Sequence, residues 1–291
     1  MVNCKELGRT GVQIPEIGIG TWRYSGAVEP LRTAISLGAA FIDTAESYGT
    51  EEIVGQAIKG VRHQVFVATK ISPRHFRRED VFAAAANSLK RLQTDYIDLY
   101  QLHWPNYAVP IAETVAAMED LVDRGKIRFI SVSNFSAKEL ARAQMALSKN
   151  KIVSNQVPYS LVDRTIECGL SQYCEANQIT VIAFSPLGRG LQNIQRYDPN
   201  NLLCRLIEIS RKSQAQVVLN WCISHSTVVA IPKADRVEHV RDNCGASGWQ
   251  LEPEQIRVLN DGVGFRRRTR PEMFARRMVR RVVQHFGQNV E

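Results

Sequence analysis

Cysteine pairs and cysteine–histidine clusters are missing from this sequence. Its 291 residues include six cysteines, but no C-x-x-C spacing and no Cys/His group at the spacing of a zinc site. Scattered cysteines of this kind are typical of reduced thiols that pack as small hydrophobic side chains. The sequence therefore predicts neither a disulfide framework nor a metal site.

Long apolar runs are missing as well. No stretch approaches the roughly 18–20 apolar residues that a membrane-spanning helix needs. The first eleven residues, MVNCKELGRTG, also lack the apolar segment of a signal peptide. We expect no membrane span and a cytoplasmic location.

A charge excess spread over the whole chain is also absent. The net charge is +8, from 37 Lys and Arg against 29 Asp and Glu, but residues 262–291 hold eight arginines and two acids and so carry +6. Residues 1–261 keep 29 basic and 27 acidic residues, a net charge of only +2. Because a nearly neutral body needs no polyanionic partner, we expect no nucleic-acid partner.

What the sequence does contain is a regular alternation of short apolar runs and longer amphipathic stretches. A glycine-bounded turn within residues 2–14 predicts an opening β-hairpin. Eight apolar runs then predict buried parallel strands, at residues 17–20, 41–43, 65–70, 97–102, 129–133, 153–156, 181–184 and 228–231. Helical patterns cover residues 30–37, 51–58, 79–92, 111–124, 137–148, 169–177, 202–212 and 215–224, and a last helix starts at 237–243.

Eight β–α units without a Pro/Gly/Ser-rich linker favour a (β/α)₈ barrel. A doubly wound sheet is the alternative, but it needs a glycine-rich phosphate loop after its first strand, and Gly18-Ile19-Gly20 supplies only G-x-G. We therefore predict an α/β fold with a single TIM barrel over residues 1–264. A basic tail follows over residues 265–291 and is expected to be helical from residue 271, where a proline suits a helix start.

Four ionisable side chains follow neighbouring strands of this predicted barrel. Asp43 and Tyr48 come after the second strand, Lys70 ends the third and His103 follows the fourth. The carboxyl ends of barrel strands form one rim, and adjacent strands are about 4.8 Å apart, so these side chains can converge. Each alone has an ordinary structural explanation at the flank of a strand, but their shared position favours function.

Together these side chains suit proton donation. A free tyrosine has a pKa near about 10 and is a poor acid at neutral pH, whereas an adjacent lysine ammonium lowers the pKa of a phenol. A carboxylate beside the lysine keeps the ammonium charged and oriented. Asp43, Lys70 and Tyr48 match this relay, and His103 is a candidate second donor that positions a carbonyl oxygen.

Short motifs at the strand ends resemble those of the aldo-keto reductases, in the same order from about residue 3 to about residue 260. They are Asp43-Thr44-Ala45, Tyr48-Gly49, Ala68-Thr69-Lys70, Leu102-His103-Trp104-Pro105, Val132-Ser133-Asn134-Phe135, Asn155-Gln156, Phe184-Ser185-Pro186-Leu187-Gly188 and Ile231-Pro232-Lys233. The resemblance implies a (β/α)₈ barrel whose N-terminal hairpin closes the bottom. It also implies reduction of small carbonyl compounds with NAD(P)H, without a Rossmann domain.

The resemblance further implies a role for each matching residue. Tyr48 would be the general acid, Lys70 the partner that lowers its pKa, Asp43 the support for Lys70, and His103 the donor that orients the substrate. Other matches would hold the cofactor. They are Gly20, Thr21 and Trp22; Ser133, Asn134 and Gln156 at the nicotinamide carboxamide; Phe184 stacked on the nicotinamide ring; and Ser185, Pro186, Leu187 and Gly188 along the pyrophosphate.

The adenosine end departs from the family pattern. Members that prefer NADPH often show Lys-Ser, followed by an arginine six residues after the lysine. Here Ala234 follows Lys233, and His239 replaces the arginine. Arg236 can supply another phosphate donor, while Asp235 beside it repels a phosphate. We expect NADP(H), with NAD(H) left open. The adenine contacts would come from Asp242 and Asn243.

The substrate pocket of the family is shaped by the loops after the fourth and seventh strands. Both loops are short here, at residues 104–110 and 186–200. Short loops favour an open pocket that accepts small aldehydes, dicarbonyls or sugars. We expect the enzyme to be a monomer. Candidate lining residues, also explicable as rim or core aromatics, are Trp22, Tyr24, Phe76 and Trp104. The alternative function is a cofactor-binding sensor or a structural subunit that does not turn over substrate.

The basic tail lies outside the resemblance, and three interpretations of it remain open. Its apolar residues recur at helical spacing, so the helix can pack that stripe on the barrel. A basic amphipathic helix can instead lie on an anionic surface. In the third interpretation, residues 265–270 fold over the pocket and offer arginines to an anionic substrate or a cofactor phosphate. The stripe consists of Phe274, Ala275, Met278, Val279, Val282, Val283 and Phe286.

Overall fold

An antiparallel hairpin precedes the main sheet and closes one end of it. The computed structural model describes residues 1–285 of the protein. Strands β1 (Cys4–Glu6) and β2 (Gln13–Pro15) form the hairpin. Leu7 and Ile14 are fully buried and pack with the side chains of the barrel strands in one apolar cluster. The predicted hairpin and its position at the bottom of the barrel are therefore confirmed.

Eight parallel strands form the barrel, in chain order around the sheet. They are β3 (Ile19–Gly20), β4 (Phe41–Asp43), β5 (Phe66–Ile71), β6 (Ile97–Leu102), β7 (Ile127–Ser133), β8 (Ile152–Pro158), β9 (Thr180–Phe184) and β10 (Val228–Ala230). Closure comes from the segment before β3, where Gly18 N donates to Ala230 O at 2.8 Å and Ile17 pairs in parallel with Ala230. Each observed strand overlaps its predicted run, so the predicted (β/α)₈ barrel is confirmed.

Helices cover the outside of the barrel. They are α1 (Val28–Ser36), α2 (Glu51–Ile58), α3 (Arg78–Leu92), α4 (Ile111–Asp123), α5 (Ala137–Ala146), α6 (Leu170–Ala176), α7 (Leu191–Gln195), α8 (Leu202–Ser210), α9 (Gln214–Ile223), α10 (Val237–Cys244), α11 (Pro253–Gly262) and α12 (Arg270–His285). The sequence analysis missed the short α7 and also α11. Proline at the first position of α11 is a start signal that could have revealed it. In the part of the chain described, no helix is long and apolar enough to cross a membrane.

The start of the tail is attached to the barrel through its main chain. Arg266 N donates to Val162 O at 2.9 Å, and Arg164 N donates to Arg266 O at 3.2 Å. Gly264 N donates to Tyr197 O at 2.7 Å. These bonds fix residues 264–266 beside the loops that follow β8 and β9.

The predicted helix of the tail is present as α12, but its apolar stripe does not pack on the barrel. Phe274 is 62 % exposed, Val279 58 % and Val282 52 %. The interpretation that the stripe packs on the barrel is therefore wrong, since the tail is attached by main-chain bonds that precede the helix. Phe286 lies outside the described residues. The division into residues 1–264 and 265–291 stays a prediction.

Candidate active site

The four predicted catalytic residues lie at the carboxyl ends of three adjacent strands. Asp43 is the last residue of β4, Lys70 lies one residue before the end of β5, and His103 directly follows β6. Tyr48 ends a single 3₁₀ turn after β4, and Gly49 follows it with φ +69°, a conformation that glycine adopts without strain. The turn brings the phenol back over the strand ends.

Lys70 is fully buried, and its ammonium is held by oxygen atoms. Its Nζ donates to Asp43 Oδ1 at 2.5 Å and to Thr44 O at 2.8 Å. The same Nζ lies 4.7 Å from the centre of the Tyr48 ring. Burial alone would lower the pKa of Lys70, but the charge of Asp43 and the interaction with Tyr48 outweigh it and raise the pKa above its ordinary value. Lys70 is therefore positively charged at neutral pH and lies beside the phenol.

Asp43 is tied across the barrel interior by two amides. Gln101 Nε2 donates to Asp43 Oδ2 at 2.9 Å, and Gln156 Nε2 donates to the same oxygen at 2.7 Å. Both carboxylate oxygens of this buried group therefore have donors, as a buried charge requires. The sequence analysis missed Gln101, although a buried glutamine opposite Lys70 on the neighbouring strand is a signal that could have found it.

His103 is buried and close to Tyr48. Its Nε2 lies 3.4 Å from the Tyr48 hydroxyl, and the two rings meet edge to face with centroids 5.5 Å apart. Burial, and then the charge of Lys70, lowers the pKa of His103 to about 3, so the imidazole is neutral at physiological pH. Its Nδ1 is buried and has no hydrogen-bond partner among residues 1–285.

A neutral imidazole carries one N–H, and an unpaired buried donor costs free energy. We therefore assign the proton of His103 to Nε2, the nitrogen that faces Tyr48, and leave Nδ1 as the unpaired acceptor. The phenol oxygen and Nε2–H then lie side by side, 3.4 Å apart. An oxygen atom placed there would receive a hydrogen bond from each.

The predicted carboxamide residues form one group at the ends of β7 and β8. Ser133 Oγ donates to Gln156 O at 2.9 Å, and Asn134 Nδ2 donates to Ser133 Oγ at 2.9 Å. Asn134 adopts φ +64°, which asparagine tolerates better than most residues. A carboxamide has one acceptor and one donor group, and this set of hydroxyl and amide side chains fits it. Phe184, half-buried at the end of β9, is paired with Pro158 on β8.

The loop after β9 turns sharply and contains the residues predicted at the pyrophosphate. Ser185 has φ +51° and Gly188 φ +63°, and Gly188 N donates to Ser185 O at 3.0 Å. Pro186 is buried in this loop, and Leu187 packs against the core. Two positive φ angles and one main-chain hydrogen bond thus close this loop into a compact turn.

The residues after β3 divide into buried and exposed positions. Gly20 is buried, and a Cβ there would lie 2.9 Å from Ile231 O. Thr21 is also buried, and its Oγ1 donates to Asp43 O at 3.0 Å, so its side chain supports the catalytic strand. Trp22 is 49 % exposed at the rim, with the Arg23 guanidinium 4.5 Å from its ring centre.

The aromatic residues predicted to line the substrate pocket do not share one environment. Trp104 stacks on His103 with ring centroids 6.4 Å apart and so lies beside the reacting region. Tyr24 is buried, and its hydroxyl donates to Ala27 O at 2.7 Å. Phe76 is 1 % exposed and belongs to the hydrophobic core. The predicted substrate contact of Phe76 is therefore corrected to a core position, because almost none of its surface is exposed.

The adenosine end carries less free positive charge than the sequence suggests. Lys233 Nζ forms an ion pair with Asp235 and donates to Arg23 O at 3.2 Å. Arg236 is exposed and makes no ion pair within residues 1–285. The other predicted positions differ in exposure: Ala234 and Asn243 are buried, Asp242 is half-buried and His239 is exposed.

Comparison with known proteins identifies the family. Residues 16–261 match the model of the Aldo/keto reductase family. The chain belongs to that family. This aldo/keto reductase is an oxidoreductase that reduces carbonyl groups with NAD(P)H, and the expectations of that fold, cofactor class and activity are confirmed.

Named relatives span nearly the whole barrel. The methylglyoxal reductase YeaE of Escherichia coli is 38 % identical over 260 residues, which is 86 % of this chain and 91 % of that protein. The glyoxal reductase of Bacillus subtilis is 36 % identical over 252 residues, or 84 % and 88 % of the two chains. An aldo/keto reductase from Klebsiella pneumoniae in complex with NADP and acetate is 36 % identical, with a TM-score of 0.83 over 92 % of this chain and 98 % of that chain.

Proposed function

We propose that this protein reduces small aldehydes and ketones, with 2-oxoaldehydes such as methylglyoxal and glyoxal as preferred substrates, and that Tyr48 is the proton donor. The observation that carries the proposal is the contact of the Tyr48 phenol with both Lys70 and His103. The relatives named for methylglyoxal and glyoxal support the substrate class.

The proton transfer depends on the charge of Lys70. Its ammonium, held by Asp43 at 2.5 Å, stabilises the negative charge that develops on the Tyr48 oxygen as the proton leaves. His103 stays neutral and donates from Nε2 to the same carbonyl oxygen, which fixes the carbonyl for attack. The C=O π bond breaks as a C–H and an O–H bond form. When bound, NADPH supplies the hydride for the new C–H bond.

Residues of this chain would hold the cofactor along one side of the rim. Ser133, Asn134 and Gln156 would bind the carboxamide, and Phe184 would offer its ring face to the nicotinamide. The 2′-phosphate would meet Arg236, together with Lys233 once the ammonium exchanges Asp235 for the phosphate. We propose NADPH as the preferred cofactor, supported by the NADP complex of the Klebsiella relative.

The proposed substrate pocket has one aromatic wall beside the catalytic histidine and one at the outer rim. Trp104 stacks on His103, and Trp22 is an exposed residue shortly after β3. Two flat side chains and short loops leave room for small, unbranched carbonyl compounds. This supports a broad range of small aldehydes rather than one bulky substrate.

The decisive test is the substitution Tyr48→Phe, assayed by NADPH consumption with methylglyoxal. The expected result is a loss of at least about 100-fold in kcat with NADPH affinity retained, because the phenol ring stays and only the acidic proton is removed. Tyr173→Phe, a half-buried tyrosine on α6, is the matched control. Unchanged turnover by Tyr48→Phe would refute the assignment.

The same assay separates the enzyme from its alternative. If the unaltered protein binds NADPH tightly but consumes none with methylglyoxal, glyoxal or 4-nitrobenzaldehyde, then the protein is a cofactor-binding sensor or structural subunit. The expected monomeric state, the cytoplasmic location and the absence of a nucleic-acid partner stay predictions.

A further inference from the structure

A concave pocket of about 430 Å³ lies between the loops after β8 and β9 and the start of the tail, and Tyr48 is not among its lining residues. Its volume is within the range of small-molecule sites and exceeds what one small ion fills. The polar lining that matters here comes from three segments of the chain. It consists of Ser160, Ser185, Arg189, Arg196, Arg266 and Arg268.

Positive charge dominates this pocket. Four arginines line it, and Asp163 is the carboxylate among its lining residues. Arg268 is 3.4 Å from Asp163, and Arg266 is 3.6 Å from Glu272. Arg189 and Arg196 form no ion pair in the part of the chain that the structure describes. One carboxylate therefore faces an excess of guanidinium groups.

Arg268 has a donor that the protein itself does not satisfy. Its Nε is buried and has no hydrogen-bond partner among the described residues. Burial lowers the pKa of Arg268, Asp163 raises it, and the charges of Arg276, Arg266 and Arg189 lower it further. A bound anion would reduce the repulsion between these arginines and would accept a hydrogen bond from Arg268 Nε. Guanidinium groups bind phosphate and carboxylate through such charge-assisted hydrogen bonds.

The arginines stand on a fixed framework. Arg266 N and O are bonded to Val162 and Arg164, as described above, and Arg268 N donates to Thr165 Oγ1 at 3.3 Å. The buried Arg164 guanidinium donates to Leu161 O at 3.0 Å and lies 4.4 Å from the centre of the Phe265 ring. The pocket wall is thus built from ordered main chain rather than from long side chains alone.

We propose that this pocket is an anion site, which binds a phosphate or carboxylate group of a small molecule through Arg196, Arg266 and Arg268. The site does not take part in the proton transfer assigned to Tyr48. The loop of Ser185 and Gly188 borders the pocket and is also proposed to hold the cofactor pyrophosphate, so the anion has two possible sources. One is a phosphate of the bound dinucleotide, and the other is a separate phosphorylated or carboxylated ligand.

The test measures binding of inorganic phosphate to the full chain by isothermal titration calorimetry, at low ionic strength, with and without saturating NADPH. Arg266→Gln and Arg196→Gln are the test variants, because both side chains are exposed and neither supports the core. Arg257→Gln on α11, an exposed arginine paired with Glu254, is the matched control. Each test variant is expected to weaken phosphate binding by about tenfold, and the control to leave it unchanged.

The two sources give different results. If phosphate binds equally well at saturating NADPH, the site takes a separate ligand. If NADPH displaces phosphate and both variants also raise the Kd for NADPH, measured by protein fluorescence, the site takes a cofactor phosphate. Phosphate binding that is absent in the unaltered protein, or unaffected by the two variants, or weakened equally by Arg257→Gln, overturns the proposal. None of these readouts requires reductase activity, so failure of the proposed reaction is seen separately.

Discussion

Gln156 donates a hydrogen bond to Asp43 across the interior of the barrel, with Nε2 2.7 Å from Oδ2. Their strands, β8 and β4, stand four places apart in an eight-stranded sheet and so face each other across it. One amide therefore connects the residue proposed to bind the nicotinamide carboxamide with the carboxylate that holds Lys70. In the proposed mechanism, cofactor binding and proton donation therefore depend on the same side chain.

Substitution of Gln156 by methionine tests this connection. Methionine has a similar length but no donor, so Asp43 Oδ2 keeps Gln101 alone. We expect the free energy of unfolding to fall by about 1–3 kcal/mol and the Kd for NADPH to rise. Urea denaturation and fluorescence titration measure the two effects, with Gln250→Met, an exposed site, as control. Loss of stability with unchanged NADPH affinity would show that Gln156 is structural only.

The ion pair between Lys70 and Asp43 can be tested by comparing a single substitution with a double substitution. Lys70→Met leaves the Asp43 carboxylate buried without its cation, and we expect a loss of about 3–5 kcal/mol in stability together with loss of turnover. The double substitution Lys70→Met with Asp43→Asn removes both charges and should regain a large part of that stability, but none of the turnover. Chemical denaturation and the methylglyoxal assay measure both. A double variant no more stable than Lys70→Met contradicts a direct charge pair.

His103 predicts a pH dependence of stability. Its pKa is lowered to about 3 in the folded protein, from an ordinary value of 6.5. Between these values the unfolded chain binds a proton that the folded chain does not, so stability falls as pH decreases from about 6.5 to about 3. His103→Gln should remove the contribution of His103 to this slope. Between pH 7 and pH 4.5 the unaltered protein should therefore lose about 2.5 kcal/mol more of its free energy of unfolding than the variant. Denaturation at the two pH values checks it.

The control for that experiment is His63→Gln, since His63 is exposed. The same low pKa means that His103 contributes no limb to the pH–rate profile between pH 5 and pH 8. A rate that falls below pH 6.5 in the unaltered protein, and is flat in a variant with His103 replaced, would contradict the neutral state assigned here.

Two truncations separate the parts of the tail. Deletion of residues 270–291 removes α12, whose described apolar side chains are exposed, and should change stability by no more than about 0.5 kcal/mol. Deletion of residues 264–291 also removes the main-chain bonds to Val162, Arg164 and Tyr197 and should lower the melting temperature clearly. Calorimetric melting compares them. Equal losses from both deletions would mean that α12 packs on the barrel in solution.

The sequence was sufficient to predict the barrel and to place the candidate catalytic residues at one rim, for a physical reason. Buried parallel strands appear in the sequence as short apolar runs. Polar residues at the ends of these runs are easy to recognise, and Asp43, Lys70 and His103 were predicted in this way. These three residues and Tyr48 converge because three adjacent strands end at the same rim. These features depend on local pattern and on strand order alone.

Other features depend on contacts that no local pattern encodes. Phe76 and Trp22 are both aromatic residues that follow a strand, yet only Trp22 reaches the surface. Phe76 is enclosed where Thr114 of α4 donates to its carbonyl oxygen at 2.8 Å. In the same way, an apolar stripe at helical spacing predicts a buried face, but it does not say whether the chain before the helix allows that face to reach the barrel.

Residues 264–266 are attached to the rim through their main chain, and Arg266 forms part of the wall of the proposed anion site. The position of this wall therefore depends little on which side chains it carries. Bonds from Arg266 N and O to Val162 and Arg164 use no side-chain atom of residue 266. The side chain at that position can therefore be replaced while the peptide keeps its place, so a change at residue 266 can alter the charge of the proposed anion site without disturbing the catalytic strands. Side chains at this part of the rim can thus vary while the barrel that carries the catalytic residues stays the same.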